Sequence, residues 1–257
     1  MPRTIATWNV NSLRVRLPQL LEWLAATPLD VVALQETKLP DDEFPHAEFA
    51  AVGWHSLASG QRTYNGVALL ARSAPTDAVT DNPAFADPQR RILAATVAGL
   101  RFVNLYVPNG QSVGSDKYEY KLQWLAALCE FLRGELARHP QLIVLGDFNV
   151  APEDRDVHDP AAWAGQVLCS EPERAALRAI FALGLHDVFR RFEQPPQSFS
   201  WWDYRAAAFQ RNHGLRIDLI LASAPVAARC VMSRIDVAPR RAPRPSDHAP
   251  VLAAFDI

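Results

Sequence analysis

A layered α/β fold is predicted by three features of the sequence. Apolar runs of strand length outnumber helical patterns and come in groups with helices between them, which fits stacked layers better than the strict strand–helix alternation of a barrel. The run LIVLGDFN at 142–149 begins with four successive apolar residues, the mark of a strand buried on both faces. Neither G-x-G-x-x-G nor G-x-x-x-x-G-K-[ST] occurs, so the nucleotide-cradling sheets have no motif support.

Taken in order, residues 4–8 alternate moderately and predict a strand that ends at Asn9. Residues 17–26 carry Leu17, Leu20, Leu21 and Leu24 at helical spacing, with Pro18 suited to a first helical position. A short strand at 31–34 runs into Gln35 and Glu36. Strands follow at 66–70, 92–97 and 102–107, the last stopped by Pro108. The longest helical pattern is 117–138, with Leu122, Leu125, Leu128 and Leu132 among its apolar positions. The strand at 142–147 follows, with Gly146 read as the point where the run ends and the backbone turns. A helix at 172–183 and strands at 217–221, 231–237 and 251–255 complete the set. The acidic segment 151–170 reads as irregular, is long for a plain connection and is a candidate functional loop.

At 257 residues the chain suits one large domain or two small ones; nothing linker-like divides it, and one domain over 1–257 is expected. Hydrophobic residues make up 49% and charged residues 21%, which places it among ordinary globular proteins. No apolar stretch approaches a membrane span, and Met1 leads almost directly into a strand without a signal-peptide pattern. Cys129, Cys169 and Cys230 are odd in number and scattered, which predicts reduced thiols in a cytoplasm and no zinc site. The net charge of −2 announces no nucleic-acid partner. Its distribution says more: lysine occurs only at 38, 117 and 121, so arginine carries the positive charge, with clusters at Arg90–Arg91 and at Arg240, Arg241 and Arg244. Arginine suits bidentate phosphate contacts, and equally a solvated face.

The chemistry lies at the strand ends. Asn9 and Asn11, Gln35 and Glu36, Tyr106 and Asn109, Asp147 and Asn149 follow four apolar strands. Ser246, Asp247 and His248 precede the last, and Asp218 sits inside an otherwise apolar run. Each has a bland explanation alone, since Asp and Asn favour turns. Together they predict one convergent site, because a buried carboxylate is costly unless something pairs with it. Oxygen ligands without cysteine favour Mg²⁺ or Mn²⁺, and a histidine beside carboxylates suits phosphoester hydrolysis.

The motifs WNVNSLR, LQETK, YNGVALL, QRRI, YVPNG, GDFN, FSWWDYR, GLRIDLIL and SDHAPV occur in an order that resembles the exodeoxyribonuclease III family of apurinic/apyrimidinic (AP) endonucleases, within the endonuclease/exonuclease/phosphatase superfamily. The resemblance covers essentially the whole chain. It implies a four-layer α/β sandwich, two mixed β-sheets face to face with helices outside, as in DNase I-like proteins. It implies Mg²⁺-dependent base excision repair, with Mn²⁺ as a substitute: cleavage 5′ to abasic sites, 3′→5′ exonuclease action and 3′-end trimming on duplex DNA. The protein would be a monomer in a bacterial cytoplasm, associated with the nucleoid through DNA.

Residue by residue, the resemblance makes Glu36 the main metal ligand, with Asn9, Asp147, Asn149, Asp247 and His248 around the metal. Asp147 would orient or deprotonate the attacking water, and Asn149 would hold a phosphate oxygen. His248 would bond a non-bridging oxygen, supported from behind by Asp218. Tyr106 would lie against the scissile phosphate, as phenol or phenolate. Arg91, Asn109, Lys121, Leu215 and Arg216 would contact DNA, and Trp201 would wall the sugar pocket. One of Trp201 and Trp202 is expected to be ordinary aromatic core. Ser12 departs from the glycine of many relatives, which alters a turn. Two alternatives stand beside this reading: a superfamily phosphatase acting on an inositol phosphate or lipid, and a nucleic-acid-binding scaffold with a dead site. GLRIDLIL with FSWWDYR counts against the first, and the intact acids and histidine against the second.

Overall fold

The computed structural model describes residues 2–257, so the first residue of the expected domain lies outside the described residues. Twelve strands form: β1 (Arg3–Asn9), β2 (Val31–Gln35), β3 (His55–Ser59), β4 (Val67–Ala71), β5 (Thr76–Val79), β6 (Ile92–Val97), β7 (Leu100–Tyr106), β8 (Leu142–Asp147), β9 (Leu185–Asp187), β10 (Asp218–Ser223), β11 (Cys230–Ile235) and β12 (Val251–Phe255). The α-helices are α1 (Leu13–Ala26), α2 (His46–Ala51), α3 (Asp116–Arg138), α4 (Pro160–Trp163), α5 (Glu171–Phe181) and α6 (Ala224–Ala227).

The strands make two six-stranded sheets, ordered β11-β12-β1-β2-β4-β3 and β5-β6-β7-β8-β10-β9. Each is mixed, with one parallel pair at its centre, β1 with β2 and β7 with β8, and antiparallel pairs elsewhere. A strand buried on both faces reads as a continuous apolar run, which is why VVALQ and LIVLGD carry no polar alternation. The sheets close on each other through Ile5, Ala33, Leu69, Leu93, Phe102, Leu145 and Ile220. Trp8, Leu20, Leu24 and Phe49 pack the outer face of the first sheet, and Trp124, Leu128, Leu132 and Leu177 that of the second. The result is the expected four-layer sandwich: helix, sheet, sheet, helix.

One polar belt crosses the core between the sheets. Gln35 Nε2 donates to Thr7 Oγ1 at 2.9 Å and to Asn104 Oδ1 at 2.7 Å. Asn104 Nδ2 reaches the carbonyls of Leu34 and Ala68. All three side chains are fully buried. Buried amide bonds fix register more than they add stability, and those of Gln35 Nε2 and Asn104 tie β2 to β7 a residue or two from their functional ends.

Three expectations are corrected. Helix α1 begins at Leu13, so Pro18 lies inside it. The start is set by tertiary bonds, Ser12 N–H to Glu36 O at 2.8 Å and Leu13 N–H to Thr37 O at 3.0 Å, which satisfy donors that a helix end leaves open. Gly146 does not end its strand; β8 continues to Asp147. A Cβ there would lie 2.0 Å from Leu105 O, so the glycine is required by the close approach of β7. The segment 151–170 is not irregular throughout: it holds a 3₁₀ turn and α4, and folds back over the end of the sandwich.

Candidate active site

Parallel pairing puts the C-terminal ends of β1, β2, β7 and β8 at one end of the sandwich. Antiparallel pairing brings the start of β10 beside the end of β8, Asp218 against Asp147. The turn before β12 arrives at the same place, held by Trp8 Nε1–H to His248 O at 3.1 Å and Ser246 Oγ–H to Asn9 O at 2.6 Å. Several residues here have positive φ without being glycine: Asn11 (42°), Ser12 (82°), Glu36 (50°), Lys38 (55°) and Asn149 (49°). Such conformations persist where the surroundings impose them. The φ of Ser12 explains why a glycine would suit that turn.

A cavity of about 290 Å³ opens between these ends. Glu36, Asp147 and His248 offer ligand atoms within 4.8 Å of one another. Asn9 Nδ2 donates to Glu36 Oε1 at 2.8 Å and to Asp147 Oδ2 at 3.0 Å, so one amide from the first sheet spaces carboxylates from both. Lys38 Nζ lies 2.9 Å from Glu36 Oε2. Asp147 Oδ1 accepts the Asn149 N–H at 2.9 Å.

His248 Nδ1 faces both oxygens of Asp218, at 2.9 and 3.1 Å, and its Nε2 lies 3.7 Å from Asp147 Oδ2. Burial disfavours the imidazolium, but the charges of Asp218 and Asp147 outweigh it and raise His248 to about 10. Burial raises Asp147 to about 7, against the pull of His248 and with repulsion from Asp218 and Glu36. Burial, then the charges of Glu36 and Asp147, push the Tyr106 hydroxyl well above its ordinary value. That direction favours the neutral phenol over the phenolate. Asp247 is held below the usual carboxylate range: burial opposes its charge, but His248, Trp201 Nε1 and Asn11 Nδ2 favour it.

The donor set fits a hard divalent cation. Two carboxylates converge with a third, Asp218, behind them, a concentration of like charge that a cation relieves. The other expected ligands are placed differently. Asn9 turns its amide nitrogen inward while its oxygen accepts the Asn11 N–H. Both oxygens of Asp247 are taken by Asn11 and Trp201. The Asn149 side-chain oxygen accepts from Asn109 Nδ2 at 3.2 Å. As placed, Asn9 and Asn149 orient the carboxylates, and Asp247 holds Asn11 and Trp201. His248 belongs to the grouped ligand atoms, and where Asp218 and Asp147 keep it protonated it donates instead.

The expected DNA contacts divide. Trp201 and Asn109 line the cavity, while Trp202 is the core tryptophan. Arg91 borders an adjoining groove of about 700 Å³, but it is only 8% exposed. Its guanidinium is engaged with Gln89 and Tyr106 O and lies 4.7 Å from the Tyr106 ring. Three contacts are corrected by burial. Leu215 is 0% exposed and packs in the small core beneath Trp201. Arg216 is 1% exposed and bonded to Asp156 and Asp187. Lys121 is 0% exposed and paired with Glu173. None can reach a duplex without unpairing a buried charge or opening the core. The sequence pattern gave no role to Lys38, Trp163 or Leu168, although Lys38 stands in LQETK, and it grouped Ser246 with the site without showing that its hydroxyl holds Asn9 O. Trp163 and Leu168 come from the 151–170 segment and wall the cavity.

A four-layer sandwich whose facing sheets deliver two carboxylates, an imidazolium and a phenol to one cavity defines a class of phosphoester hydrolases. The chain belongs to the endonuclease/exonuclease/phosphatase family, whose model matches residues 6–248. It is 35% identical to exodeoxyribonuclease III of Haemophilus influenzae, over 97% of this chain and 98% of that protein. It is 50% identical to a 3′ phosphatase from Neisseria bound to a product DNA hairpin, with a TM-score of 0.98 over 99% of this chain and all of the other. An AP endonuclease from Archaeoglobus fulgidus is 39% identical, with a TM-score of 0.95 over the same shares.

Proposed function

We propose that this protein is a Mg²⁺-dependent DNA repair nuclease in which Mn²⁺ can substitute. It hydrolyses the phosphodiester 5′ to abasic sites and removes nucleotides and blocking groups from 3′ ends of duplex DNA. The observation that carries this reading is the convergence of Glu36, Asp147 and His248 in one cavity. The 3′ phosphatase and AP endonuclease relatives support the choice of substrate.

Glu36 and Asp147 would hold the cation, which when bound offsets phosphate charge and stabilises the leaving oxyanion. The chain's own residues do the rest. Asp147, rigid at the end of β8, takes a proton from water as general base. His248, kept charged by Asp218, donates its Nε2–H to a non-bridging oxygen. The Tyr106 hydroxyl donates to the same phosphate. Trp201, Trp163 and Ile217 give the cavity an apolar wall suited to a sugar without its base. The site is complete in one chain, which supports one domain over 1–257 working as a monomer. The bacterial relative supports action on the nucleoid in a cytoplasm.

A substrate panel tests this: an abasic duplex, a 3′-phosphate duplex, an intact duplex and an inositol phosphate, each with Mg²⁺ or EDTA. Cleavage of the DNA substrates with Mg²⁺ and none with EDTA is expected. Turnover of the inositol phosphate alone would make the protein a superfamily phosphatase instead, and binding without turnover a scaffold.

A further inference from the structure

Lys121 and Glu173 form an ion pair with no exposed side-chain surface, reaching from α3 and α5 to the site. The ammonium uses its three donors fully. One goes to Glu173 Oε1, one to Asn109 O at 3.1 Å and one to Asn149 O at 2.6 Å. Glu173 is equally occupied: Oε1 accepts the Leu168 N–H at 3.0 Å, and Oε2 accepts the Ser170 N–H at 3.1 Å and the Ser170 hydroxyl at 2.5 Å. One pair thereby ties together the loop after β7, the turn after β8 and the cavity wall that ends at α5.

A buried ion pair is weak evidence of stabilisation, since desolvation offsets most of its attraction. Its placement is more informative. Asn149 stands at φ 49°, a left-handed turn conformation that asparagine tolerates, and Lys121 grips the carbonyl of that residue and so holds the turn. Asn149 N–H bonds Asp147 Oδ1, and Asn149 Oδ1 accepts from Asn109. The chain of contacts thus runs from Lys121 through Asn149 to the carboxylate that faces His248. Arg101 and Glu135 form a comparably buried pair at 2.6 Å, but at the far end of β7 and β8, where Arg101 pairs with Leu142. It touches no site residue.

We propose that Lys121 and Glu173 are positioning residues: the pair fixes Asn149 and Asn109, and through them Asp147, in the reactive arrangement. The inference rests on the nuclease reading, and the test separates the two. In single-turnover cleavage of an abasic duplex, Lys121→Met is expected to lower the rate about 100-fold, the cost of a small misplacement of reacting groups, with little change in KM. Glu173→Gln, isosteric and milder, is expected to lose about 10-fold, as for loss of an outer-layer hydrogen bond. Arg101→Met is the control, with a lowered Tm and an unchanged rate. A wild-type rate in Lys121→Met beside a Tm lowered as in the control would overturn the proposal, and Glu173→Gln carries the same comparison if Lys121→Met does not fold. A wild-type protein that leaves DNA intact would sink the nuclease reading alone. The positioning is then read from ¹⁵N-asparagine side-chain resonances. Those of Asn109 and Asn149 are expected to move in Lys121→Met and Glu173→Gln and stay fixed in Arg101→Met; unmoved resonances overturn it.

Discussion

Asp147 and His248 lie 3.7 Å apart and are buried together, yet their surroundings set them opposite tasks. His248 has Asp218 directly behind it and stays protonated to about 10, which suits a donor. Burial first, and then the charges of Asp218 and Glu36, raise Asp147 to about 7, which suits an acceptor. Asp147→Asn is therefore expected to abolish turnover while abasic DNA still binds, since an amide cannot take a proton. His248→Asn is expected to keep more activity, because an amide can still donate. Single-turnover rates at saturating enzyme measure this; a faster Asp147→Asn would exchange the two roles. These residues were legible in the sequence because a core strand that ends in an acid, amide or phenol is unusual, and four such ends coincide with Asp247 and His248 just before a fifth strand. The fate of Lys121, Leu215 and Arg216 was not. A basic residue beside a DNA-reading motif looks the same whether its partner is a phosphate or a carboxylate such as Glu173, far along the chain.

At the scale of the element, the strands that the sequence pattern missed share one property. β3, β5 and β9 are all sheet edges, short and partly or wholly exposed. A strand with one neighbour needs no continuous apolar run, so TDAV and LHD carry no signal. Central strands were legible because burial on two faces leaves no polar alternative. The true start of α1 was hidden for a related reason, since its capping carbonyls come from the loop after β2. The long α3 depends on side chains at both ends. Near its C-terminus, burial opposes the charge of Glu135, but Arg101 and Arg138 win and hold it below its ordinary value. A lowered carboxylate value means that its contribution is complete above about pH 4.5 and is lost as the pH falls through the folded-state value. The gap in urea midpoint between wild type and Glu135→Gln is expected to be constant at neutral pH and to shrink below pH 4.5. A gap independent of pH would remove Glu135 from the acid response.

For the whole molecule, the sandwich explains why the site needs two sheets. Neither alone holds both carboxylates of the candidate metal group: Glu36, with Asn9, comes from one, and Asp147, with Tyr106 and Asp218, from the other. The belt of Thr7, Gln35 and Asn104 locks the sheets together just beneath them. Among the described residues, no helix is long and apolar enough to cross a membrane. If carboxylates delivered by opposite sheets hold one cation over a DNA phosphate, removing one of them must raise the Mg²⁺ requirement of cleavage. A Mg²⁺ titration of abasic-duplex cleavage compares wild type with Glu36→Gln. Glu36→Gln is expected to fold with a wild-type Tm and bind the duplex, but to turn over orders of magnitude more slowly and need far more Mg²⁺. Near-normal turnover by Glu36→Gln at limiting Mg²⁺ would rule out the shared cation.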